Sequence, residues 1–191
     1  MSRWEPDARG RLAQAAMELY RERGYEQTTV AQIAERAGVT ERTFFRYFAD
    51  KREVLFDGGQ ALEQRMVAAV DAAAPSAPPL DAVAAALAAA AESFAEIPRD
   101  FPRRRREVIA AHPALQEREL IKLARLSAAL GEALRGRGVP EPAASLTAET
   151  GVAVFRVGFE RWATGPTDRD LAAVLEESLA ELRALTAVSR A

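Results

Sequence analysis

The chain has 191 residues and a formal net charge of −2 at pH 7, and it contains no cysteine and one histidine, His112. This length can bury a core without disulfides, while the lack of cysteine excludes thiolate zinc sites and cysteine nucleophiles, and a single histidine excludes a multi-histidine metal site. A net charge so close to zero also argues against a protein that coats nucleic acid without discrimination.

Alanine, leucine, arginine and glutamate dominate the sequence, and alternating runs of β-branched residues are absent. This pattern favours an all-α protein, and we predict about nine helices. The first covers residues 7–23 and ends at Gly24, because glycine readily adopts the left-handed conformation that terminates a helix.

The next two predicted helices are short and close together. Thr29 caps the second, and Gln32, three residues on, completes a capping box. Gly38 ends that helix, and Thr40 caps the third, which contains the segment TFFRYF at residues 43–48. Two short helices joined by a tight turn with glycine are typical of the helix-turn-helix unit, whose second helix enters the major groove of DNA.

A fourth helix is predicted from residue 51, after an Asp50 cap, to about Ala74. It would contain Gly58 and Gly59, each costing roughly 1 kcal/mol relative to alanine. These glycines either soften a hinge between a DNA-binding and a ligand-binding part or allow close packing. On the hinge interpretation, replacing both with alanine should raise thermal stability and weaken the response to a ligand.

Five further helices are predicted after the proline-rich connector at residues 75–79. The longest apolar run, residues 82–91, is too short to cross a bilayer, and the N-terminal residues lack the apolar segment of a signal peptide. We therefore expect a soluble, cytoplasmic protein without membrane contact. The predicted helices lie near residues 80–97, 102–112, 114–135, 143–164 and 168–188.

The third helix divides into two faces when its residues are placed about 100° apart. Phe44 and Phe48 fall within about 40° of each other and face the second helix, whereas Arg42 and Arg46 lie on roughly the opposite side. Arginine suits bidentate contact with guanine, and threonine or tyrosine hydroxyls can bind phosphate oxygens. The alternative is an ordinary solvated arginine face over an aromatic core.

The segment TTVAQIAERAGVTERTFFRYFADKREVLF, residues 28–56, resembles the DNA-binding region of TetR-family transcriptional repressors. The resemblance implies a homodimer with a helix-turn-helix DNA-binding domain at residues 1–52 and a helical effector-binding and dimerisation domain at residues 53–191. It implies a ligand-responsive repressor that leaves a palindromic operator in double-stranded DNA when a small-molecule effector binds. By position, the DNA contacts of the family fall on Thr28, Thr29, Thr40, Arg42, Thr43, Phe45, Arg46, Tyr47 and Lys51.

Phe45 departs from the family pattern, which commonly has tyrosine at this position. In the family the tyrosine hydroxyl meets a phosphate, and Phe45 keeps the ring but lacks that hydroxyl. The resemblance therefore implies a contact at Phe45 without the phosphate hydrogen bond.

The segment at residues 103–137 resembles the corresponding part of actinobacterial TetR-type proteins that include regulators of mycofactocin systems. Within that group, the resemblance implies an acyl-CoA-like molecule as one candidate effector.

Four consecutive arginines, Arg103 to Arg106, follow Pro102 at the predicted start of a helix, where cations oppose the helix dipole. They either form salt bridges with Asp100, Glu107 or other acidic residues or bind an anionic ligand, and operator contact is the weaker alternative.

The lining of a ligand pocket cannot be distinguished from ordinary core by periodicity alone. We predict a mostly apolar cavity between helices four to seven. His112 stands before Pro113 at a helix end, where we expect it to cap the helix or to interact with its dipole rather than to act in catalysis. The candidate lining residues are Met66, Phe94, Phe101, Val108, Ile109, His112 and Leu123.

The predicted helices near residues 143–164 and 168–188 are apolar on more than one face. Gly151 and Gly158 lie one heptad apart, and such small residues allow close helix approach. We predict that both helices contribute to a two-fold four-helix interface, with a thicker monomer core as the alternative. The expected interface residues are Gly151, Val154, Phe155, Gly158, Trp162, Leu171, Leu175, Leu179 and Leu182.

Two other classes of function compete with a DNA-binding regulator. An α-helical enzyme or carrier is disfavoured by the lack of cysteine, the single histidine and the absence of a phosphate-binding glycine loop. We therefore expect no enzyme activity, no catalytic residue, no metal and no cofactor. A helical protein-interaction adaptor, the other alternative, would show no salt-dependent DNA binding.

Overall fold

The computed structural model describes residues 8–166 and 169–187. Within these residues the chain forms nine α-helices, one short 3₁₀ helix at Glu53–Phe56 and no strand, which confirms the all-α prediction. In this described part, each helix is too short or too polar to cross a membrane. The α-helices are α1 (Ala8–Arg23), α2 (Val30–Arg36), α3 (Glu41–Tyr47), α4 (Gly59–Ala72), α5 (Pro79–Glu92), α6 (Asp100–Ala110), α7 (Pro113–Gly136), α8 (Ala143–Thr164) and α9 (Leu171–Ala187).

The chain forms two compact units. The first comprises the described residues up to Gly58 together with Asp100–Glu119, and the second comprises Gly59–Arg99 and the described residues from Leu120 onwards. We predicted a functional boundary between residues 52 and 53. The compact units are divided differently, because α6 and the first turns of α7 contribute to the N-terminal core.

The core of the first unit closes around Phe44, whose side chain has no exposed surface. α1 contributes one face to this core, because its apolar residues recur every three to four positions. Other large buried side chains of this core include Leu12, Leu19, Ile33 and Leu55, with Ile109 from α6 and Leu115 from α7.

The second unit packs α4, α5, α8, α9 and the later turns of α7 around one apolar core. A Cβ atom at Gly151 of α8 would lie 2.5 Å from Val83 Cγ1 of α5, and one at Gly158 would lie 2.6 Å from Leu175 Cδ2 of α9. Both distances are shorter than real Cβ contacts, so these glycines allow α8 to pack closely against its two neighbours. The largest fully buried side chains are Met66, Leu130, Leu134, Leu171 and Leu175.

The prediction of one continuous fourth helix is wrong. Glu53–Phe56 forms a 3₁₀ helix, Asp57 has an extended backbone with φ −60° and ψ 145°, and α4 begins only at Gly59. Gly58 lies between the two helices with φ of +78°, in the left-handed region that glycine adopts without steric cost. The chain passes from the first compact unit to the second between Gly58 and Gly59.

Replacing Gly58 with alanine is expected to lower the free energy of unfolding by about 1–2 kcal/mol, because the left-handed conformation strains other L-residues. This reverses the stabilisation predicted from the sequence. Gly59→Ala is the matched control, because Gly59 is helical and a Cβ there would meet the flexible end of Lys122. Its expected effect is between no change and a gain of about 1 kcal/mol. Chemical denaturation measures both variants, and equal stabilities would contradict the prediction.

Candidate nucleic-acid interface

Two threonine caps fix the short helices of the helix-turn-helix. The Thr29 hydroxyl accepts a hydrogen bond from the Gln32 backbone N–H at 3.2 Å, and the Gln32 side chain accepts one from the Thr29 N–H at 3.0 Å. The Thr40 hydroxyl accepts from the Thr43 N–H at 3.2 Å. Helices of seven residues are marginal alone, so these caps and the core beneath them define where α2 and α3 begin. The predicted capping box and both predicted caps are confirmed.

α3 has one buried and one exposed face, as predicted. Phe44 and Phe48 are 0% and 3% exposed, and they belong to the core of the first unit. Thr43 is half-buried at the edge of the exposed face. The exposed side chains of α3 include Arg42, Phe45, Arg46 and Tyr47.

The aromatic side chains on the exposed face of α3 are held by their neighbours. The Phe45 ring is 55% exposed, yet it meets the buried Phe44 ring edge to face at 5.5 Å. The Arg46 guanidinium lies 4.8 Å from the centre of the Tyr47 ring, and its Nη2 donates to the Tyr47 hydroxyl at 3.0 Å. The exposed face is therefore partly ordered before anything binds to it.

Cations near α3 differ in whether a carboxylate neutralises them. Arg36 of α2 pairs with Glu22 at 2.9 Å, and its hydrogen bond lowers the pKa of Glu22. In the described part of the chain, no carboxylate lies within salt-bridge distance of Arg42 or Arg46. The exposed face of α3 thus carries cations whose charge is available to an anionic partner.

Arg52, just beyond α3, is held by Asp50. Its Nε donates to Asp50 Oδ2 at 2.9 Å, and its backbone N–H donates to Oδ1 at 2.8 Å. Burial alone would raise the pKa of Asp50, but the hydrogen bonds from Arg52 hold that pKa below its ordinary value. Asp50 remains a carboxylate at neutral pH, and its Oδ1 also accepts the Glu53 N–H at 3.1 Å at the start of the 3₁₀ helix.

Two of the residues expected to contact DNA direct their polar groups into the protein. Thr28 is 1% exposed, and its hydroxyl donates to the carbonyl oxygen of Gly24 at 2.8 Å. The Lys51 ammonium donates to the carbonyl oxygens of Tyr25, Glu26 and Thr28. Local sequence patterns could not reveal the bonds of Lys51, because they join residue 51 to a turn more than twenty positions earlier.

Arg103, Arg104 and Arg105 of α6 engage acidic partners. α6 begins at Asp100, two residues before the approximate predicted start, so the arginines occupy its fourth to seventh positions. Arg104 pairs with Asp100 at 2.8 Å, Arg103 with Glu107 at 3.5 Å, and Arg105 with Glu119 at 2.7 Å. These contacts favour the salt-bridge alternative over an anion-binding site.

Two cations of the first unit also lie over the same aromatic ring. The guanidinium carbons of Arg105 and Arg118 lie 5.2 Å and 5.5 Å from the centre of the Phe56 ring. Arg105 Nε donates to the Leu55 carbonyl oxygen, and Arg118 pairs with Glu53. These contacts attach the 3₁₀ helix to α6 and to the start of α7, and no short sequence motif indicates them.

His112 has a structural role at the junction of α6 and α7. Its Nδ1 lies 2.8 Å from the Val108 carbonyl oxygen, so it is the proton donor in that bond and satisfies a carbonyl at the end of α6. Its ring meets the Tyr25 ring edge to face at 5.0 Å. The predicted capping role is confirmed. In the described residues, no group of three or more histidine, aspartate or glutamate side chains could hold a metal ion.

The candidate pocket residues belong to two different units. Met66, Phe94 and Leu123 lie in or against the core of the second unit, where Phe94 meets the Phe159 ring at 5.0 Å. The remaining candidates lie in the first unit, so the candidates do not form one cluster within a unit. Those of the first unit are Phe101, Val108, Ile109 and His112.

The expected interface residues of α8 and α9 are mostly core residues of a single chain. Gly151 and Gly158 face Val83 and Leu175 of the same unit. Leu182 is half-buried against the same core. Periodicity marks these residues for burial but does not say which surface covers them, so this part of the interface prediction needs correction. The side chains buried within one chain are Val154, Phe155, Trp162, Leu171, Leu175 and Leu179.

A different face of α8 is apolar and exposed. Leu146 is 64% and Val157 48% exposed, and Ala153 is exposed between them. With the half-buried Thr150, these residues are spaced four, three and four apart, so they fall within about 60° of one another and opposite the core. We call Leu146, Thr150, Ala153 and Val157 the outer stripe of α8.

Two parts of the chain match known protein families. Residues 12–57 match the bacterial regulatory proteins of the tetR family, and residues 77–187, more than half of the chain, match the MftR C-terminal domain. The HTH-type transcriptional regulator TcmR of Streptomyces glaucescens is 42% identical over 78 residues, which cover 41% of this chain and 34% of TcmR. HbdR of Aromatoleum sp. (strain CIB) is 40% identical over 50 residues, 26% of this chain and 22% of HbdR. The chain therefore aligns with only 34% and 22% of the length of these two regulators.

Solved structures match nearly the whole chain. Thermus thermophilus FadR, a TetR-family repressor in complex with lauroyl-CoA, is 29% identical and superposes with a TM-score of 0.58 over 92% of this chain and 93% of FadR. Bacillus subtilis FadR in complex with stearoyl-CoA is 21% identical, with a TM-score of 0.61 over 91% of this chain and 96% of that protein, and shares the fold. The chain belongs to the TetR family of bacterial transcriptional regulators, with a C-terminal domain of the MftR type.

Proposed function

We propose that this regulator is a homodimeric repressor that binds a palindromic operator through α3 and leaves it when a small molecule binds the C-terminal domain. The observation that carries the proposal is the exposed face of α3 over a fully buried Phe44. Among the described residues this face has two arginines without carboxylate partners and two ordered aromatic rings, which suits a helix that reads a major groove.

The polar groups exposed on α3 and at the start of α2 suggest how these helices contact DNA. Arg42 and Arg46 can donate to guanine edges or phosphates. The Thr29 hydroxyl oxygen accepts a hydrogen bond from the Gln32 N–H, so the hydroxyl hydrogen is still available to donate to a phosphate oxygen. Thr28 and Lys51, whose polar groups point inwards, are left out. The proposed contacts are Thr29, Thr40, Arg42, Thr43, Phe45, Arg46 and Tyr47.

Selection of bound fragments from genomic DNA with the purified protein tests the function. We expect enrichment of one sequence with two-fold symmetry, whose half-sites are separated by about one turn of DNA, roughly 10 base pairs, or a multiple of it. If binding weakens as the salt concentration rises but no sequence is enriched, the protein binds DNA without sequence specificity. No enrichment and no salt-dependent binding would reject the proposal and favour a helical adaptor.

Replacing Arg46 with alanine is expected to weaken specific operator binding by roughly 1–3 kcal/mol, about 5- to 150-fold, if its guanidinium reads a base. Fluorescence anisotropy with the selected operator at matched salt measures the change. Arg125→Ala removes an equal charge from an exposed position outside the first unit and serves as the control. An Arg46→Ala affinity equal to that of the control would contradict base reading by Arg46.

Phe45 is expected to contact a thymine methyl group, since its exposed ring has no polar atom and phenylalanine can pack on that methyl in the major groove. Replacing operator thymines one at a time with deoxyuridine removes the methyl and nothing else. We expect one position per half-site to weaken binding of the unchanged protein several-fold, and the Phe45→Ala variant to be insensitive at that position. Equal sensitivity of the two proteins would contradict the contact.

We propose an acyl-CoA as the effector class, since FadR of T. thermophilus binds lauroyl-CoA and is 29% identical over most of both chains. Met66, Phe94 and Leu123 are candidates for the wall that faces the acyl chain, because they are apolar and lie in or against the core of the second unit. Titrating lauroyl-CoA into the protein–operator complex should release DNA, whereas free CoA and free laurate should not. Release by laurate alone would point to a fatty acid effector, and release by none of them would remove long-chain acyl-CoA from consideration.

We also propose that the outer stripe of α8 forms the two-fold interface. The composition of α8 predicts that two of its faces are buried. One face packs in the core of the chain, and in a dimer the outer stripe would be covered by the second subunit. The interface residues are then those of the outer stripe and not the ones predicted from the sequence. A symmetric dimer would present two copies of α3 to the two half-sites of a palindrome.

A further inference from the structure

The side-chain ammonium of Lys51 is fully engaged inside the first unit. Its Nζ lies 2.8 Å from the carbonyl oxygen of Tyr25, 3.2 Å from that of Glu26 and 3.0 Å from that of Thr28. An ammonium group has three donors, so these bonds use its full capacity. Nζ also lies 4.4 Å from the centre of the Tyr25 ring. We call the three carbonyl groups and this ring the lysine cup.

Buried tyrosines hold the lysine cup in place. Tyr20 and Tyr25 are 3% and 7% exposed, and their rings meet edge to face at 5.2 Å. The Tyr20 hydroxyl donates to the Lys51 carbonyl oxygen at 2.6 Å. Burial raises the pKa of Tyr20, so this hydroxyl stays protonated and remains a donor. The backbone of Lys51 is therefore fixed on one side while its ammonium is fixed on the other.

The residues that form the lysine cup lead directly into the helix-turn-helix. Thr28 is followed by Thr29, the cap of α2, and α2 contributes Ile33 to the same core as Phe44 of α3. A shift of the turn at residues 25–28 would therefore move the start of α2 and, through this core, the exposed face of α3. Without the cation, the three converging carbonyl oxygens would each lose a donor, and that of Tyr25 would keep the Thr28 N–H at 3.3 Å.

We propose that Lys51 is a positioning residue that fixes the entry to α2 and that it does not bind a phosphate of the operator. The inference rests on the proposed DNA-binding function, but the lysine cup exists without DNA and can be tested separately. The family resemblance implies a direct DNA contact at this position, which a lysine would make to a phosphate, and the two assignments give different experimental results.

Thermal unfolding of the full chain without DNA tests the lysine cup. Lys51→Met keeps an apolar stem of similar length and removes the three bonds, so we expect the Tm to fall by about 4–8 °C. Arg52→Met is the matched control, because it removes an equal charge one residue on and leaves the cup occupied; its Tm should change by less than about 2 °C. Equal Tm values for the two variants would overturn the inference even if the protein bound no DNA.

The salt dependence of operator binding tests the second half of the inference. Each phosphate contact contributes about 0.9 to the slope of the logarithm of affinity against the logarithm of salt concentration. For a positioning residue, Lys51→Met should lower affinity with an unchanged slope. A slope that becomes shallower by about 0.9 would overturn the inference, whatever the Tm shows. If the protein without substitutions selects no operator, the proposed function itself is rejected.

Lys51→Arg keeps the charge and decides the question if Lys51→Met does not fold. A phosphate contact tolerates arginine, which binds phosphate well, so affinity would stay within about threefold of the unchanged protein and overturn the inference. The planar guanidinium cannot direct three donors to three converging carbonyls as an ammonium does, so a positioning role predicts at least a tenfold loss of affinity together with a lowered Tm.

Discussion

Replacing Phe44 with alanine is expected to lower the free energy of unfolding by about 3–5 kcal/mol and to abolish sequence-specific DNA binding. The side chain is fully buried where α1, α2 and α3 meet, so its removal leaves a cavity beneath the exposed face of α3. Urea denaturation followed by circular dichroism measures the stability, and anisotropy with the selected operator measures the binding.

The adjacent Phe45→Ala variant is a close control, because it removes the same ring one residue on from a position that is 55% exposed. Its free energy of unfolding should change by no more than about 0.5 kcal/mol. Its operator affinity should nevertheless fall, because the ring belongs to the proposed contact surface. Similar stabilities for the two variants would contradict the division of α3 into a buried and an exposed face.

Replacing Val157 with glutamate is expected to convert the proposed dimer into a monomer and to reduce operator affinity by roughly 10²- to 10⁴-fold. The two-fold axis would place two copies of the new carboxylate close together in an apolar contact, where each loses its hydration. A monomer contacts one half-site, so the gain from binding both half-sites at once disappears. Sedimentation equilibrium measures the mass, and the selected operator measures the affinity.

Ala88→Glu controls for the added charge, because Ala88 is exposed on α5 of the same unit. This variant should retain the dimer and the operator affinity. A Val157→Glu protein that remains dimeric would show that the outer stripe of α8 is not the interface. A monomer that keeps full affinity would show that dimerisation does not support DNA binding.

The part of the candidate site that could be predicted from the sequence depends on local geometry. Thr29, Gln32 and Thr40 cap their helices through bonds that span three residues, and the faces of α3 follow from the helical repeat. The sequence places Gly58 wrongly, because two adjacent glycines in a helical pattern predict a soft point within one helix. The pattern does not specify that one of them takes a left-handed backbone between two helices.

The rest of the site depends on contacts between distant segments, which periodicity cannot reveal. Lys51 had the residue type and position of a phosphate ligand, but three carbonyl groups of an earlier turn take up its ammonium. Gly151 and Gly158 were correctly expected to permit close helix approach, but the approaching helices belong to the same chain. Apolar character likewise marked the pocket candidates for burial without assigning them to a unit.

The split composition of the first unit bears on how the protein is made. Ile109 and Leu115 complete the core that contains Phe44, although more than sixty residues of chain separate them from it. A nascent chain therefore cannot finish its DNA-reading part until the ribosome has added α6 and the opening turns of α7. A recombination event that joined only the first 58 residues to another effector domain would leave apolar surface uncovered. We expect functional exchanges between relatives to carry residues 100–119 along with the N-terminal helices.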